Sequence, residues 1–241
     1  STLQKAVDLS TASRGDKIVC LPGHAETVST ATALAINKAG VDIIGVGHGA
    51  LRPTFTLDTA ATATITISAA NVSITNCLFA ANFADVTALF TLTTAKNFKV
   101  SHSEFRDTTS SLNFVNIVDT NATSNDADGL EIMDCDWNGL GAASNTTLIK
   151  MDGTNRRLTV QRCSITHAAT TDAGLMIIAA GKVVTQGMIA DNVIRLTGAT
   201  GATAGILITT DGTTNSGAIV RNLVQSLDAT SEILVTASSG F

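Results

Sequence analysis

The tripeptide Gly47-His48-Gly49 is the first place in this sequence where residue types suggest chemistry. Histidine transfers protons near neutral pH, and flanking glycines let a backbone approach a ligand closely. The same three residues also suit a tight turn, with positive φ at the glycines and the histidine at an exposed corner. Residue types alone leave both interpretations open.

A group of five carboxylates in the stretch NDADGLEIMDCDW is the second candidate. Its members are Asp126, Asp128, Glu131, Asp134 and Asp136. Glycoside cleavage uses two carboxyl groups about 5–10 Å apart, and Ca²⁺ prefers several oxygens at one place. We expect Asp126 and Asp128 to lie in a solvated loop that Gly129 closes. The other three are expected mostly on an exposed strand face, so a structural role is favoured over a site.

The four cysteines are spread along the chain, at Cys20, Cys77, Cys135 and Cys163. They form no Cys-x-x-Cys pair, which disfavours a zinc site. Four cysteines over 241 residues are also too few for a disulfide framework. We therefore expect free, buried thiols that pack as small apolar groups, with no metal and no cofactor.

Other polar side chains are scattered. We expect His24, His102 and His167 at surface or turn positions, because no partner lies near them in the sequence. The stretch GATGATAG (198–205) lacks the lysine of a phosphate-binding loop and is interpreted as a turn. As an alternative, the carboxylates could belong to a lyase site, which needs a Lys or Arg base near a bound metal. Three arginines lie about one repeat later: Arg156, Arg157 and Arg162.

The composition favours one apolar domain over 1–241. Hydrophobic residues make up 44% of the chain and charged residues 15%, which argues against disorder. A net charge of −5 gives no basic stripe for nucleic acid, and no apolar run is long enough to span a membrane. The polar N-terminus lacks the centre of a secretory signal, so we expect an intracellular chain or a removed leader.

Two series of similar segments repeat along the chain. The first comprises VSITNCLF (72–79), KVSHSEF (99–105), LEIMDCDW (130–137), LTVQRCSI (158–165), MIADNVI (188–194) and AIVRNLV (218–224). The second comprises LFTLTT (89–94), FVNIVD (114–119), LIKMDG (148–153), LMIIAA (175–180), ILITTD (206–211) and ILVTAS (233–238). Both have an irregular period of about thirty residues. Such a period indicates a solenoid, a propeller or an array.

The segments predict an all-β fold, a parallel β-helix in which each strand pairs with its equivalent one repeat later. The alternation is that of short strands, and no repeat contains a helix-length amphipathic stretch. Large side chains should then stack as an internal ladder: Phe79, Phe105, Trp137, Ile165, Ile194 and Val224. Small or hydrogen-bonding side chains should point inward at a bend: Cys77, Ser103, Cys135, Cys163, Asn192 and Asn222.

The ends of a β-helix need covers because open strand edges polymerise. Residues 1–14 are predicted as an N-terminal cap before coils at 15–241, with a short helix whose apolar face carries Leu3, Ala6, Val7 and Leu9. No comparable cap follows the last strand segment. We therefore expect another subunit, or further chain, to cover that end.

The first sixty residues or so resemble a known family. Gly15-Asp16 and Leu21-Pro22-Gly23, then 41–47 and Arg52-Pro53, match elements of the pectin-lyase-like superfamily, in particular β-helix proteins encoded by tailed bacteriophages and prophages. The resemblance implies a right-handed parallel β-helix. It covers roughly the first sixty residues by motif. This scaffold carries enzymes, adhesins and virion parts alike, so the resemblance indicates fold more than function.

The same resemblance bears on Gly47-His48-Gly49. Pectinases with this tripeptide have carboxylate motifs before it and an Arg-x-Lys motif after it, and neither is present here. We therefore interpret the tripeptide as a turn. One Trp and no Tyr also leave little material for an aromatic sugar platform.

These observations predict a non-enzymatic virion structural protein: a capsid decoration, spike or fibre component of a tailed bacteriophage. It is expected in the virion as a homotrimer that contacts capsid or tail proteins. A polysaccharide-binding or -degrading tailspike-type enzyme, a lyase or a glycoside hydrolase, is the first alternative. A surface adhesin is the second, with an ice-binding or designed solenoid as variants.

Overall fold

The protein is described here by a computed structural model that covers residues 2–141, 146–168, 176–178, 182–198, 205–209, 216–226 and 233–236. A helix, α1, spans Leu3–Leu9, and a 3-10 turn spans Gly49–Leu51. The strands in chain order are β1 (Lys17–Cys20), β2 (Ala25–Val28), β3 (Leu34–Ile36), β4 (Asp42–Gly45), β5 (Thr54–Leu57), β6 (Ile65–Ile67), β7 (Ser73–Thr75), β8 (Leu78–Ala81), β9 (Phe90–Leu92), β10 (Lys99–Ser101), β11 (Glu104–Asp107), β12 (Asn116–Thr120), β13 (Glu131–Met133), β14 (Asp136–Gly139), β15 (Thr147–Met151), β16 (Asn155–Arg156), β17 (Thr159–Gln161), β18 (Ser164–His167), β19 (Met176–Ile178), β20 (Val184–Thr185), β21 (Gly187–Ala190), β22 (Val193–Leu196), β23 (Ile206–Thr209), β24 (Gly217–Val220), β25 (Leu223–Ser226) and β26 (Ile233–Thr236).

Three parallel sheets form the sides of the molecule. The first sheet has the order β1-β4-β7-β10-β13-β17-β21-β24, the second β2-β5-β8-β11-β14-β18-β22-β25, and the third β3-β6-β9-β12-β15-β19. Each strand pairs in parallel with its equivalent one winding, or coil, later. This confirms the predicted all-β parallel β-helix with a short N-terminal helix.

The first repeat series turns out to contain two strands per segment. In VSITNCLF, for example, β7 belongs to the first sheet and β8 to the second. The corner between them is two residues long, Asn76 and Cys77. The sequence pattern indicated a bend here, but it did not show that the bend separates two sheets.

The pairing registers align the large residues of the second sheet in one inward column. Phe55, Phe79, Phe105, Trp137, Ile165, Ile194 and Val224 are successive partners. The ring of Phe79 lies 5.6 Å from that of Phe55 and 6.2 Å from that of Phe105. Every member except the half-buried Val224 is fully buried. Burial of such residues in each coil provides the main stabilisation of the fold.

The small residues at the corner lie inside and link successive coils by hydrogen bonds. The Ser103 hydroxyl accepts from the Cys77 N–H at 3.1 Å, and the Asn192 side chain accepts from the Cys163 N–H at 2.9 Å. The Asn192 side-chain amide donates to the side-chain oxygen of Asn222 at 2.9 Å. Backbone groups that the bend removes from the sheet are thereby satisfied from within.

The residue before each of these small residues has a left-handed backbone. Its φ lies between 51° and 58° at Asn76, His102, Asp134, Arg162, Asp191 and Arg221. This conformation costs about 1–2 kcal/mol for a residue with a Cβ, less for Asn and Asp. It turns the chain sharply from the first sheet into the second and aims the side chain outward. One outward column, which we call the corner column, therefore runs beside the inward one.

The helix α1 covers the N-terminal end of the coil. Leu3 and Val7 are buried, whereas Leu9 is exposed, so its assignment to the apolar face was wrong. The Gln4 side chain accepts a hydrogen bond from the Ala35 N–H on the edge strand β3 at 2.7 Å. Glu26 accepts from the Leu3 N–H at 2.7 Å. These bonds fix the helix over the core opening and occupy part of the strand edge.

Candidate functional site

The Gly47-His48-Gly49 tripeptide forms a turn between β4 and β5. The φ angles are 110° at Gly47 and 55° at Gly49, and His48 is exposed beside them. Asn76 donates to the carbonyls of Gly45 and Gly47, both at 2.9 Å. The turn is therefore held by the next coil.

The structure separates the five carboxylates instead of gathering them. Asp126 accepts from the Asn121 amide at 3.2 Å in the loop before β13. Asp128 is almost completely buried, so the expectation of a solvated loop was wrong for this residue. It accepts from the backbone N–H of Arg156 at 2.8 Å and from the guanidinium at 3.1 Å. A buried carboxylate needs such partners, because an unpaired charge would be strongly destabilising there.

Glu131 and Asp134 also engage neighbouring coils. Glu131 lies outward on β13 and pairs with Lys99 of the preceding coil at 3.3 Å. Asp134 lies in the corner column and accepts from the Arg162 guanidinium in two bonds, at 2.6 and 2.8 Å. These bonds lower the pKa of Asp134. Both acids therefore brace one coil against the next.

The corner column continues as a ladder of alternating charge. After His102, Asp134 and Arg162 come Asp191 and Arg221, one coil apart each. Asp191 accepts from Arg221 at 2.6 and 2.9 Å and from Gln161 at 3.1 Å, and Arg221 is the first cause of a pKa near 2 for Asp191. His102 is 3.9 Å from Asp134. Bidentate arginine–carboxylate geometry offsets part of the backbone cost of placing arginine in the left-handed region.

Asp136 is in a different position, because it lies outward on the second sheet next to Glu104. The two residues are register partners on β14 and β11, which puts them about 4.8 Å apart along the coil axis. Burial, and then repulsion by Glu104, raise the pKa of Asp136. Of the five predicted carboxylates, Asp136 is the one with another acid as its register partner among the described strands, and Glu104 was not part of the prediction.

Two arginines flank this acid pair. Arg106 donates to Glu104 at 2.9 Å, and Arg52 lies 3.6 Å from the same carboxylate. Arg52 comes from the loop of the Gly-His-Gly turn, two coils earlier, and crosses the second sheet to reach Glu104. Glu104 thus ties this loop to the second sheet.

A shallow groove of about 590 Å³ lies alongside. Its floor is formed by outward residues of the second sheet, Thr54, Leu78 and Ala80, and its walls by the loop at 49–50 and by Arg106. The side chains of the floor are short or apolar. The groove is open and preformed, since hydrogen bonds and the Arg52–Glu104 pair hold its loop wall.

The inward column next to the aromatic ladder contains two unforeseen ionisable groups. Asp107 is buried and accepts from the N–H groups of Phe114, Leu140 and Gly141 at 2.8–3.0 Å. Burial raises the pKa of Asp107 to about 6 although these three donors pull it down. Asp107 therefore anchors the segments that follow β11 and β14.

His167 is the second such group, and the expectation of a surface or turn position was wrong. It is fully buried, its ring lies 4.5 Å from that of Trp137, and burial lowers its pKa to about 4. Its register partner Gly139 leaves the space, because a Cβ at Gly139 would collide with the imidazole. A neutral imidazole is thus part of the core.

The other two histidines that were expected at surface or turn positions, His24 and His102, occupy different settings. His24 is partly buried, 3.2 Å from Glu26, with its ring 5.7 Å from that of Phe55. His102 is in the corner column as an exposed turn residue, as predicted. The stretch 198–205 lies mostly outside the described residues.

The four cysteines are free and buried. Burial raises the pKa of Cys20 to about 11 and that of Cys77 to about 12. Both are therefore neutral thiols at physiological pH and poor nucleophiles.

Within the part of the chain that the structure describes, no group of three or more His, Cys, Asp or Glu side chains could hold a metal ion. Among the same residues, no helix has the length and apolar character needed to cross a bilayer.

Comparison of the chain with protein-family models, curated proteins and solved structures finds no match. The parallel β-helix is therefore established by the structure alone, and no match supports the resemblance to pectin-lyase-like or phage proteins.

Sequence reasoning missed the corner column and the Glu104 hub. A signal for the first was present, since each residue before a small inward position alternates in charge from Asp134 to Arg221. No local signal marks the second, because Arg52 reaches Glu104 from a loop that interrupts the repeat.

Proposed function

We propose that this chain is a non-enzymatic structural protein of a virus particle, a capsid decoration, spike or fibre component of a tailed bacteriophage. The observation that carries the proposal is that its acidic side chains are paired with arginines of neighbouring coils. Asp128, Asp134 and Asp191 each hold an arginine of the next coil. Side chains suited to acid–base chemistry are thereby fixed as braces that stiffen a rod.

The proposal places the chain in the virion as a homotrimer in contact with capsid or tail proteins. The phage-like motifs between Gly15 and Pro53 support this location. A stiff, narrow rod suits a spacer or spike, because its length is set by the number of coils and its sides are available for packing.

The test uses particles purified from the native source. We expect the chain to co-purify with them through a density gradient in fixed ratio to the capsid protein, and gold-labelled antibody to decorate the particles. Recombinant protein should sediment as a trimer. A monomer that is absent from purified particles would overturn the proposal.

A polysaccharide-degrading or -binding tailspike protein is a second candidate, and one observation favours it. Glu104 and Asp136 stack on the outer face beside a groove, and the pKa of Asp136 is raised. Retaining glycosidases place two carboxyl groups about 5 Å apart, and the one that acts as general acid has a raised pKa.

Asp136→Asn and Glu131→Gln separate the two candidates. A hydrolase predicts release of reducing ends from bacterial capsular polysaccharide that Asp136→Asn abolishes and Glu131→Gln leaves intact, since Glu131 lies on another sheet. The structural proposal predicts no release by any of the three proteins. A measurable, Asp136-dependent release would replace the first proposal with the second.

A further inference from the structure

Four exposed apolar side chains lie together at the N-terminal end of the rod. They are Val19, Leu21, Val46 and Leu51, which are 53%, 68%, 41% and 60% exposed. Backbone hydrogen bonds bring their segments together, since the Val46 N–H donates to the carbonyl of Cys20, which lies between Val19 and Leu21, and the Gly23 N–H donates to the Leu51 carbonyl, both at 2.9 Å. We call these four residues the apolar corner. Adjacent exposed apolar residues of this kind mark interaction surfaces.

A cavity of about 270 Å³ opens beside the apolar corner, between α1 and β1. Its lining is mostly apolar, with two polar residues at the edge: Leu3, Ala6, Ile18, Val19, Cys20 and Leu21, with Thr2 and His24. An apolar cavity of about 150 Å³ already accommodates benzene, so this one admits an aliphatic side chain. The surface thus presents a hole next to protruding side chains.

The backbone that carries the protruding side chain of Leu51 is fixed. Leu51 ends the 3-10 turn, its carbonyl is bonded to Gly23, and the adjacent Arg52 is paired with Glu104. A knob that is already fixed loses little conformational entropy on docking. Leu51 is therefore the best-prepared residue of the apolar corner for insertion into a cavity.

Two further features favour a second copy of this chain as the occupant. Knob and hole are on the same molecule, so a ring of copies can use both at every contact, as cyclic symmetry requires. The four side chains offer on the order of 300 Å² of apolar surface, and cavity walls and adjacent loops can extend it toward the roughly 800 Å² per partner of a specific interface.

The corner column limits how far such copies can touch. In parallel copies Asp134 would face Asp134 and Arg162 would face Arg162 at the same height, which is repulsive. Contact is therefore expected at the apolar end, before the charged ladder begins at Asp134.

We propose that copies of this chain assemble through the apolar corner, with Leu51 of each copy inserted into the cavity between α1 and β1 of the next. This rests on the trimer of the proposed function and names its contact surface.

The experiment is sedimentation velocity of full-length variants over a range of concentrations. Leu51→Glu removes the knob and Ala6→Leu fills the hole, and each should raise the concentration needed for assembly at least about 100-fold. Leu223→Glu is the control, because Leu223 is similarly exposed at the far end of the second sheet. It should assemble like the wild type. Circular dichroism checks that each variant is folded, and if Ala6→Leu does not fold, Leu51→Glu decides alone.

An equimolar mixture of the knob and hole variants sharpens the test. The intact hole of Leu51→Glu should accept the intact knob of Ala6→Leu, so the mixture should form a dimer although each variant alone is a monomer. A wild-type trimer that Leu51→Glu leaves unchanged would overturn this inference while the proposed trimer stands. A wild-type monomer would overturn both. A Leu51-dependent trimer absent from purified particles would overturn only the virion role.

Discussion

The inner and outer sides of the corner between the first and second sheets are built from consecutive residues, yet different forces act on them. Cys135 and Trp137 point inward and are buried, whereas Asp134 points outward and is paired with Arg162. Inside, packing and desolvation decide which side chain fits. Outside, solvent-screened charges pair between coils, and each pair contributes little.

This difference explains why the two sides repeat differently. The inward columns keep one chemical class from coil to coil, large apolar or small, because the available volume is the same at each coil. The corner column alternates in charge, because stacked like charges repel. The inside therefore sets the register, and the outside adjusts to it.

The largest expected effect comes from breaking the inward ladder. Phe79→Ala should lower the free energy of unfolding by about 3–5 kcal/mol, since Phe79 contacts the rings of Phe55, Phe90 and Phe105. Phe83→Ala is the control, because Phe83 is only partly buried, and it should cost clearly less. Urea unfolding followed by circular dichroism measures both. Equal losses would mean that the ladder is not the core.

Lowering the pH should stabilise the fold through Asp107 on the inner side and destabilise it through Asp191 on the outer side. The pKa of Asp107 rises to about 6 on folding, so its proton stabilises the fold below pH 4, and this stability is lost as pH rises through 6. A pKa shift of two units corresponds to a contribution of at most about 3 kcal/mol to the free energy of unfolding. The pKa of Asp191 falls to about 2, so its stability is present above pH 4 and lost as pH falls toward 2.

Unfolding free energies of the wild type, Asp107→Asn and Asp191→Asn between pH 2 and 7 test this contrast. The slope between pH 4 and 6 should change only in Asp107→Asn, and the slope below pH 4 only in Asp191→Asn. Asp107→Asn should also change the free energy of unfolding at every pH, because three backbone N–H groups lose their carboxylate acceptor. The test therefore compares slopes and not absolute values. Unchanged slopes in both variants would contradict the assignment.

A smaller loss is expected where the interior accommodates His167. Gly139→Ala should cost about 1–3 kcal/mol, because its Cβ would overlap the imidazole. Asn138→Ala, its exposed neighbour on β14, should cost less than half of that. If thermal unfolding shows no difference between the two, His167 does not occupy the space above Gly139.

The smallest effect concerns the left-handed arginines. Arg157 has a φ of 59° and is exposed, so Arg157→Asn should stabilise the fold by about 0.5–1 kcal/mol through relief of backbone strain. Arg162→Asn relieves the same strain but loses the bonds to Asp134, so it should gain less or lose stability. Differential scanning calorimetry compares the two. A larger gain at Arg162 would show that the ladder pairs contribute nothing.

The sequence predicted those parts of the molecule that repeat in kind. The strand segments, the small inward residues and the column through Phe105, Trp137 and Ile165 follow from a period of about thirty residues. The cap was predictable because the apolar spacing of Leu3 and Val7 is helical and an open coil end needs a cover.

Features that depend on contacts between different columns were not predictable. The burial of His167 requires knowing that Gly139 lies directly beside it one coil earlier. The Arg52–Glu104 pair depends on the path of a loop that has no equivalent in later coils. Asp128 was expected in solvent because its loop composition is polar, yet the following coil covers it with Arg156.

The central claim is that equivalent residues of successive coils lie in register, so that the acids of the corner column act as braces. Charge reversal at Asp134 and Arg162 tests it most directly, by thermal unfolding of Asp134→Arg, Arg162→Asp and the double variant. The account predicts that each single reversal lowers the melting temperature and that the double variant recovers most of the loss. Losses that simply add in the double variant would contradict it.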